Sequence, residues 1–216
     1  MTKSILKHLA IFIGLVFAIS LFNGCGGTGA NDPAANSANT AAGTNTGGAG
    51  NANGYSSVAS EYPPLQSGLA DAEFEMTDGT KFRPSDKKGK VLLLNIWGIW
   101  CGPCRAEMPE LVKMQDQYRD QGFEVIGINI GDEDGGVENV DAIKKFVEQQ
   151  KLNYTIARST DPAETTKAFH AITQKSVVPQ SLLVDRQGRL RGVFSGYSGN
   201  LVNLMKESVA KVVTQQ

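Results

Sequence analysis

The spacing of hydrophobic positions changes several times along this chain. An apolar stretch from Leu9 to Phe22 comes first, then a long polar interval, then short solid apolar runs alternating with stripes at helical spacing. Val91-Leu92-Leu93-Leu94-Asn95-Ile96-Trp97 and Phe123 to Ile130 read as strands. Between them a helix is predicted from about Gly102 to Gln121, with Ala106, Leu111, Val112, Met114 and Tyr118 mostly on its buried stripe and a kink at Pro109, which lacks a backbone donor. Val137, Val140, Ile143, Phe146 and Val147 keep helical spacing up to about Lys151, and a short strand follows at Tyr154 to Ala157. Asp161-Pro162-Ala163-Glu164 has a capping residue, proline at the first helical position and glutamate at the third, so a helix starts there and ends before Val178. Leu201, Leu204, Met205, Val209 and Val212 form a last amphipathic stripe. The alternation of strands and helices is that of an α/β domain.

The N-terminal segment carries a different instruction. Lys3 and Lys7 precede about fourteen mostly apolar residues, a length that suits an export signal and falls short of the ~20 residues that span a bilayer. The segment ends in Leu21-Phe22-Asn23-Gly24-Cys25, which resembles a bacterial lipoprotein box, so residues 1–24 are expected to be removed and Cys25 to carry lipid. A marginal uncleaved membrane helix is the alternative. Residues 25–60 are then lipidated cysteine and linker: Gly, Asn, Ala, Thr and Ser with almost no charge cannot bury enough surface to offset chain entropy. A coil of this kind spans about 30–35 Å. Residues 61–216 remain as one domain.

A net charge of -1 leaves no electrostatic footprint for nucleic acid. Of the chain's three cysteines, two stand in Trp100-Cys101-Gly102-Pro103-Cys104, at the junction of a strand and a helix. Two thiols so spaced form a reversible dithiol/disulfide pair. Unpaired N–H groups and aligned peptide dipoles at the helix start favour a thiolate on Cys101, the expected nucleophile, and Cys104, one turn further in, is the expected resolving thiol. Gly102 permits close backbone approach and Pro103 suits a first helical turn. Zinc would need four ligands, and only Cys25 and two histidines stand beyond this pair, so no metal site is expected. Haem attachment requires histidine where Arg105 stands. A peroxidatic cysteine would have Thr or Ser three residues upstream, where Gly98 precedes Cys101 and Cys101 precedes Cys104. A purely structural disulfide across so short a loop would stabilise the fold only modestly.

The stretch Asn95-Ile-Trp-Gly-Ile-Trp-Cys-Gly-Pro-Cys-Arg-Ala-Glu-Met-Pro109 resembles the membrane-anchored TlpA/ResA-like thiol–disulfide oxidoreductases of the thioredoxin superfamily. Phe74 to Phe82, a hairpin around Asp78-Gly79, and Val178-Pro179 followed by Ser181 to Asp185 and Leu190 to Phe194 extend the resemblance from about Leu65 to the C-terminus. It implies a thioredoxin-like fold: a central mixed sheet flanked by helices, with an N-terminal hairpin and an extra αβ insertion. It also implies a cis bond at Val178-Pro179, with the Val178 backbone, Pro179 and Trp100 flanking bound substrate. Trp97 should pack. Where ordinary thioredoxins carry a buried Asp, this chain has Asn95, and the resemblance suggests Glu107 as the substitute that tunes or deprotonates Cys104; otherwise Glu107 is a solvated surface carboxylate.

The expected activity is exchange of disulfides in envelope proteins, in the reducing direction, with apocytochrome c as a leading substrate, a membrane thiol donor as reductant and no bound cofactor beyond the Cys101/Cys104 pair. The alternatives are an oxidant or isomerase on the same fold, or a copper chaperone using His170. The expected location is the outer side of a membrane, held there by lipid.

Overall fold

The computed structural model describes residues 62–215. The expected export signal, Cys25 and the linker lie outside those residues. A helical turn, α1 (Ser67–Ala70), leads to a small hairpin of β1 (Phe74–Met76) and β2 (Lys81–Phe82). Then come β3 (Val91–Trp97), α2 (Gly102–Tyr118), β4 (Phe123–Asn129), α3 (Val140–Gln150) and β5 (Thr155–Arg158). Next, α4 (Pro162–Thr173), β6 (Gln180–Val184), β7 (Leu190–Ser195) and α5 (Gly199–Val213) complete the domain.

The strands form one sheet in the order β2-β1-β5-β4-β3-β6-β7. β3, β4 and β5 run parallel, linked by crossover helices, whereas β6, β7, β1 and β2 extend the two sides antiparallel. This is the mixed sheet the resemblance implied, with α3 and β5 as the inserted αβ unit. Every residue of β3, β4 and β6 is buried, because helices cover both sides. Met108 and Leu111 of α2, Ile143 and Phe146 of α3 and Met205 and Val209 of α5 pack on one face, around Val91, Leu93 and Trp97. Leu69 of α1 and Phe169 of α4 pack on the other, against Leu92, Leu94 and Ile96. The alternation along β3 therefore places Asn95 on the α2 side.

Several boundaries differ from the sequence expectation. α3 begins at Val140, with Asn139 as its cap accepting from the Asp141 and Ala142 amides, so Val137 lies before the helix and is exposed. α2 runs unbroken through Pro109 and ends at Tyr118, followed by a 3-10 turn over Arg119–Gln121. Its buried stripe is Cys104, Glu107, Met108, Leu111, Met114 and Gln115, with Ala106 exposed. Counting only apolar side chains displaced the stripe, because two of its members are polar residues with buried partners: the Gln115 side chain accepts from the Val125 amide at 2.7 Å, and Glu107 is bonded to Asn95.

Candidate active site

At the C-terminal end of β3 the chain leaves the sheet, turns through Gly98, Ile99 and Trp100, and enters α2 with Cys101 as its cap. The Cys101 Sγ accepts a hydrogen bond from the Cys104 amide at 3.1 Å. Its sulfur thus meets a free N–H at the positive end of a helix of 17 residues, the arrangement that stabilises an anionic sulfur. Cys101 and Cys104 are joined in a disulfide, with Cα atoms 5.3 Å apart, and both residues are buried. Gly102, Pro103 and Arg105 stand exposed beside them, and Arg105 donates from Nη1 to the Ile99 carbonyl at 3.0 Å.

The walls of the site come from separate segments. Val178-Pro179 is a cis peptide bond at the start of β6, with Val178 half-buried and Pro179 buried. The Pro179 carbonyl accepts from the Gly196 amide at 2.8 Å, which brings the end of β7 and the exposed Tyr197 alongside. Trp100 is 40% exposed, and its Nε1 donates to the Gly131 carbonyl at 3.0 Å, so the ring is open to solvent yet tied to the loop after β4. Trp97 is fully buried and stacks on Phe146. His170 lies on the exposed face of α4, 3.4 Å from the Ser176 hydroxyl.

Gly131 holds the Trp100 anchor. It has φ +97, and a methyl group built on it would lie 2.1 Å from the Gly136 carbonyl oxygen, which accepts from the Asp132 amide. Gly131→Ala is expected to destabilise the domain by about 2–3 kcal/mol, because it adds left-handed strain to a clash with backbone. Urea unfolding of the oxidised protein measures it, and a loss under about 0.5 kcal/mol, the range of an ordinary surface substitution, would contradict this account of the loop.

Beneath the disulfide lies a buried polar group. Glu107, three residues after Cys104 on the same stripe of α2, is 2% exposed, and its Oε2 accepts from Asn95 Nδ2 at 3.0 Å. The same amide donates to Ser181 Oγ at 2.9 Å, joining β3, α2 and β6. Burial pushes the Glu107 carboxyl up to about 7, against the opposing influence of the Asn95 hydrogen bond. The surface-carboxylate alternative for Glu107 is thus excluded. A carboxyl that changes protonation near neutrality, one helical turn from a dithiol, can take up or release a proton there.

Sequence reasoning passed over Ser181 and Tyr154. The signal for Ser181 was weaker than that of the lone amide Asn95 in β3: a hydroxyl next to Gln180, at the head of the apolar run Leu182-Leu183-Val184. Tyr154, just before β5, gave none, since a tyrosine beside a strand is ordinary core material.

A redox disulfide at a helix N-terminus, opposite a cis-proline on a mixed sheet, defines the class of thiol–disulfide oxidoreductases with a thioredoxin-like fold. Comparison with known proteins agrees. The thiol-disulfide oxidoreductase ResA of Bacillus cereus (strain ATCC 10987 / NRS 248) is 31% identical over 138 residues, covering 63% of this chain and 73% of the relative. That of Geobacillus kaustophilus (strain HTA426) is 29% identical over 144 residues, covering 66% and 76%. A solved thiol:disulfide interchange protein of the thioredoxin family from Chlorobium tepidum TLS shares the fold, with a TM-score of 0.55 at 24% identity over 71% of this chain and 98% of that one. Residues 67–193 match the AhpC/TSA family, and the chain belongs to that family, alongside the ResA thiol–disulfide oxidoreductases.

Proposed function

We propose that this oxidoreductase works outside the cytoplasm as a lipid-tethered reductase of protein disulfides. The observation that carries the reading is the Cys101–Cys104 disulfide at the start of α2 with the buried Glu107 one turn behind it. In the reduced protein the Cys101 thiolate attacks a substrate disulfide; one substrate sulfur leaves as a thiolate and the other stays bonded to Cys101. Glu107, in its charged form, takes the proton from Cys104. The Cys104 thiolate then attacks the Cys101 sulfur, the bond to substrate breaks, and the released sulfur is protonated. Two electrons have passed to the substrate, leaving Cys101–Cys104 oxidised. No further cofactor enters these steps, and a membrane thiol donor restores the dithiol.

Substrate chain would lie along the Val178-Pro179 edge as an added strand, with Trp100, Gly102 and Pro103 at its side. The substrates are exported proteins carrying disulfides, apocytochrome c among them, and the resemblance to the ResA oxidoreductases supports that class. Residues 1–24 would direct export, lipid on Cys25 would hold the protein at the membrane, and residues 25–60 would let the domain of residues 61–216 reach its partners. No helix among the described residues is long and apolar enough to cross a membrane.

Equilibration of the pair with a glutathione series tests the direction. A potential near the ~-270 mV of reducing thioredoxins is expected, and a value near the ~-120 mV of strong oxidants would replace the reductase with an oxidant.

A further inference from the structure

On the α2 side of the sheet, the side that Glu107 meets, lie two buried donors without partners among the described residues, Trp97 Nε1 and the Tyr154 hydroxyl. Buried N–H and O–H groups are almost always paired, so two orphans on rings that both lie against one strand need a reason. They share that place because Gly127, next to Asn95 in the register of β3 and β4, has no side chain. A methyl group built on Gly127 would lie 3.1 Å from Trp97 Nε1 and 3.0 Å from Tyr154 Cε2. The bare backbone of β4 thus lets the tyrosine ring lie over the strand on the α2 side. There the Tyr154 hydroxyl senses the Glu107 carboxylate: burial first, and then the Glu107 charge, make ionisation of Tyr154 harder. The phenol therefore stays neutral and keeps its proton to donate. The Trp97 ring is held by its stack on Phe146, 5.2 Å between centroids.

We propose that Tyr154 is a positioning residue for Glu107, its hydroxyl serving, beside the Trp97 indole N–H, as the donor held ready for the Glu107 carboxylate when that group is charged. While Glu107 is protonated, Asn95 donates to its Oε2 and the two further donors wait. When it ionises, the new charge needs more than one donor in a place that water does not freely enter, and the Tyr154 hydroxyl turns to it, beside the fixed Trp97 N–H, directly or through one water molecule. Tyr154 thereby sets the pH at which the carboxylate becomes available. The consequence for exchange rests on the reading of Glu107 as the base for Cys104. No charged group acts on Glu107: Asn95 donates to it from β3, Ser181 of β6 joins by way of Asn95, and Cys104 on its own helix is held in the disulfide.

The test is a carbon-13 NMR titration of the Glu107 carboxyl in the oxidised full-length protein, where neither thiol titrates. Tyr154→Phe removes one oxygen and keeps the ring. Its Glu107 midpoint is expected to rise by about one pH unit, the worth of a hydrogen bond to a charged group, while Tyr118→Phe, at a partly buried tyrosine further along α2, leaves it in place. An unchanged midpoint in Tyr154→Phe, or an equal shift in Tyr118→Phe, would overturn the proposal. The pH profile for resolution of a mixed disulfide by Cys104 separates the two ideas. If the carboxyl midpoint moves and the profile does not, the Tyr154–Glu107 pairing stands and the role of Glu107 as base fails.

Discussion

Cys101→Ser should lower disulfide turnover on the order of a thousandfold or more, with the fold intact. Exchange proceeds through a thiolate, and a serine hydroxyl in the same helical field stays protonated at neutral pH. Cys104→Ser should behave differently: attack on the substrate still occurs, but nothing resolves the product, so a mixed disulfide on Cys101 accumulates. Turnover of a disulfide-linked fluorescent peptide with excess dithiol measures the first effect, and intact mass spectrometry of the adduct measures the second. The backbone field at Cys101 adds a third readout, namely that the reduced protein should be alkylated at Cys101 well before Cys104 at pH 7. Retained turnover in Cys101→Ser, or equal alkylation of both thiols, would remove the mechanism proposed for this site.

The second large effect concerns Glu107 and runs in the sense opposite to most carboxylates. Burial raises its folded-state pKa from an ordinary 4.5 to about 7, so the folded protein holds this proton more tightly than the unfolded chain. The associated stability is complete below about pH 4.5 and is lost as pH rises through 7, a difference of about 3 kcal/mol from this one group. Glu124 acts in a different window. Burial opposes its charge, but hydrogen bonds from Lys90, Thr155 and Lys87 outweigh that and hold it below the usual range, so its contribution is lost only in acid. Between pH 5 and 8 the fall therefore belongs to Glu107. Denaturant unfolding of the oxidised protein across that interval should show it, and Glu107→Gln should flatten it.

Asn95→Asp should steepen the same fall. It exchanges the donor 3.0 Å from Glu107 Oε2 for a second carboxyl. At pH 5 the two acids can share a proton, but above neutrality two buried like charges face each other, and the loss at pH 8 should reach about 3–5 kcal/mol relative to the unsubstituted protein. Equal stability of Asn95→Asp at pH 5 and pH 8 would refute this account of the buried pair.

The strands and helices were legible because the domain writes its burial largely in periodicity: β3 is apolar but for Asn95, β4 is mostly apolar, and Met205, Val209 and Val212 of α5 are buried, although Leu204 of the expected stripe is exposed and Val202 is buried instead. The dithiol was equally legible, since Cys-Gly-Pro-Cys after a strand carries its chemistry in its spacing. Glu107 was half legible. Its distance from Cys104 could be counted, but whether the helix turned it inward depended on which face met the sheet, and the apolar count along α2 pointed to Ala106 as buried.

Local composition and period are properties of neighbours in sequence, so the chain alone determined the elements, their order, the reactive pair and the placing of Cys101 at a helix start. The company kept by Glu107 is a property of neighbours in space. Asn95, Ser181, Trp97 and Tyr154 come from positions up to 86 residues apart in one hydrogen-bonded pair, and the bare strand at Gly127 that admits the tyrosine ring has meaning only once β5 lies beside β4. Only the packed sheet could exclude water from that carboxyl, and exclusion of water is what moves its proton affinity to neutrality.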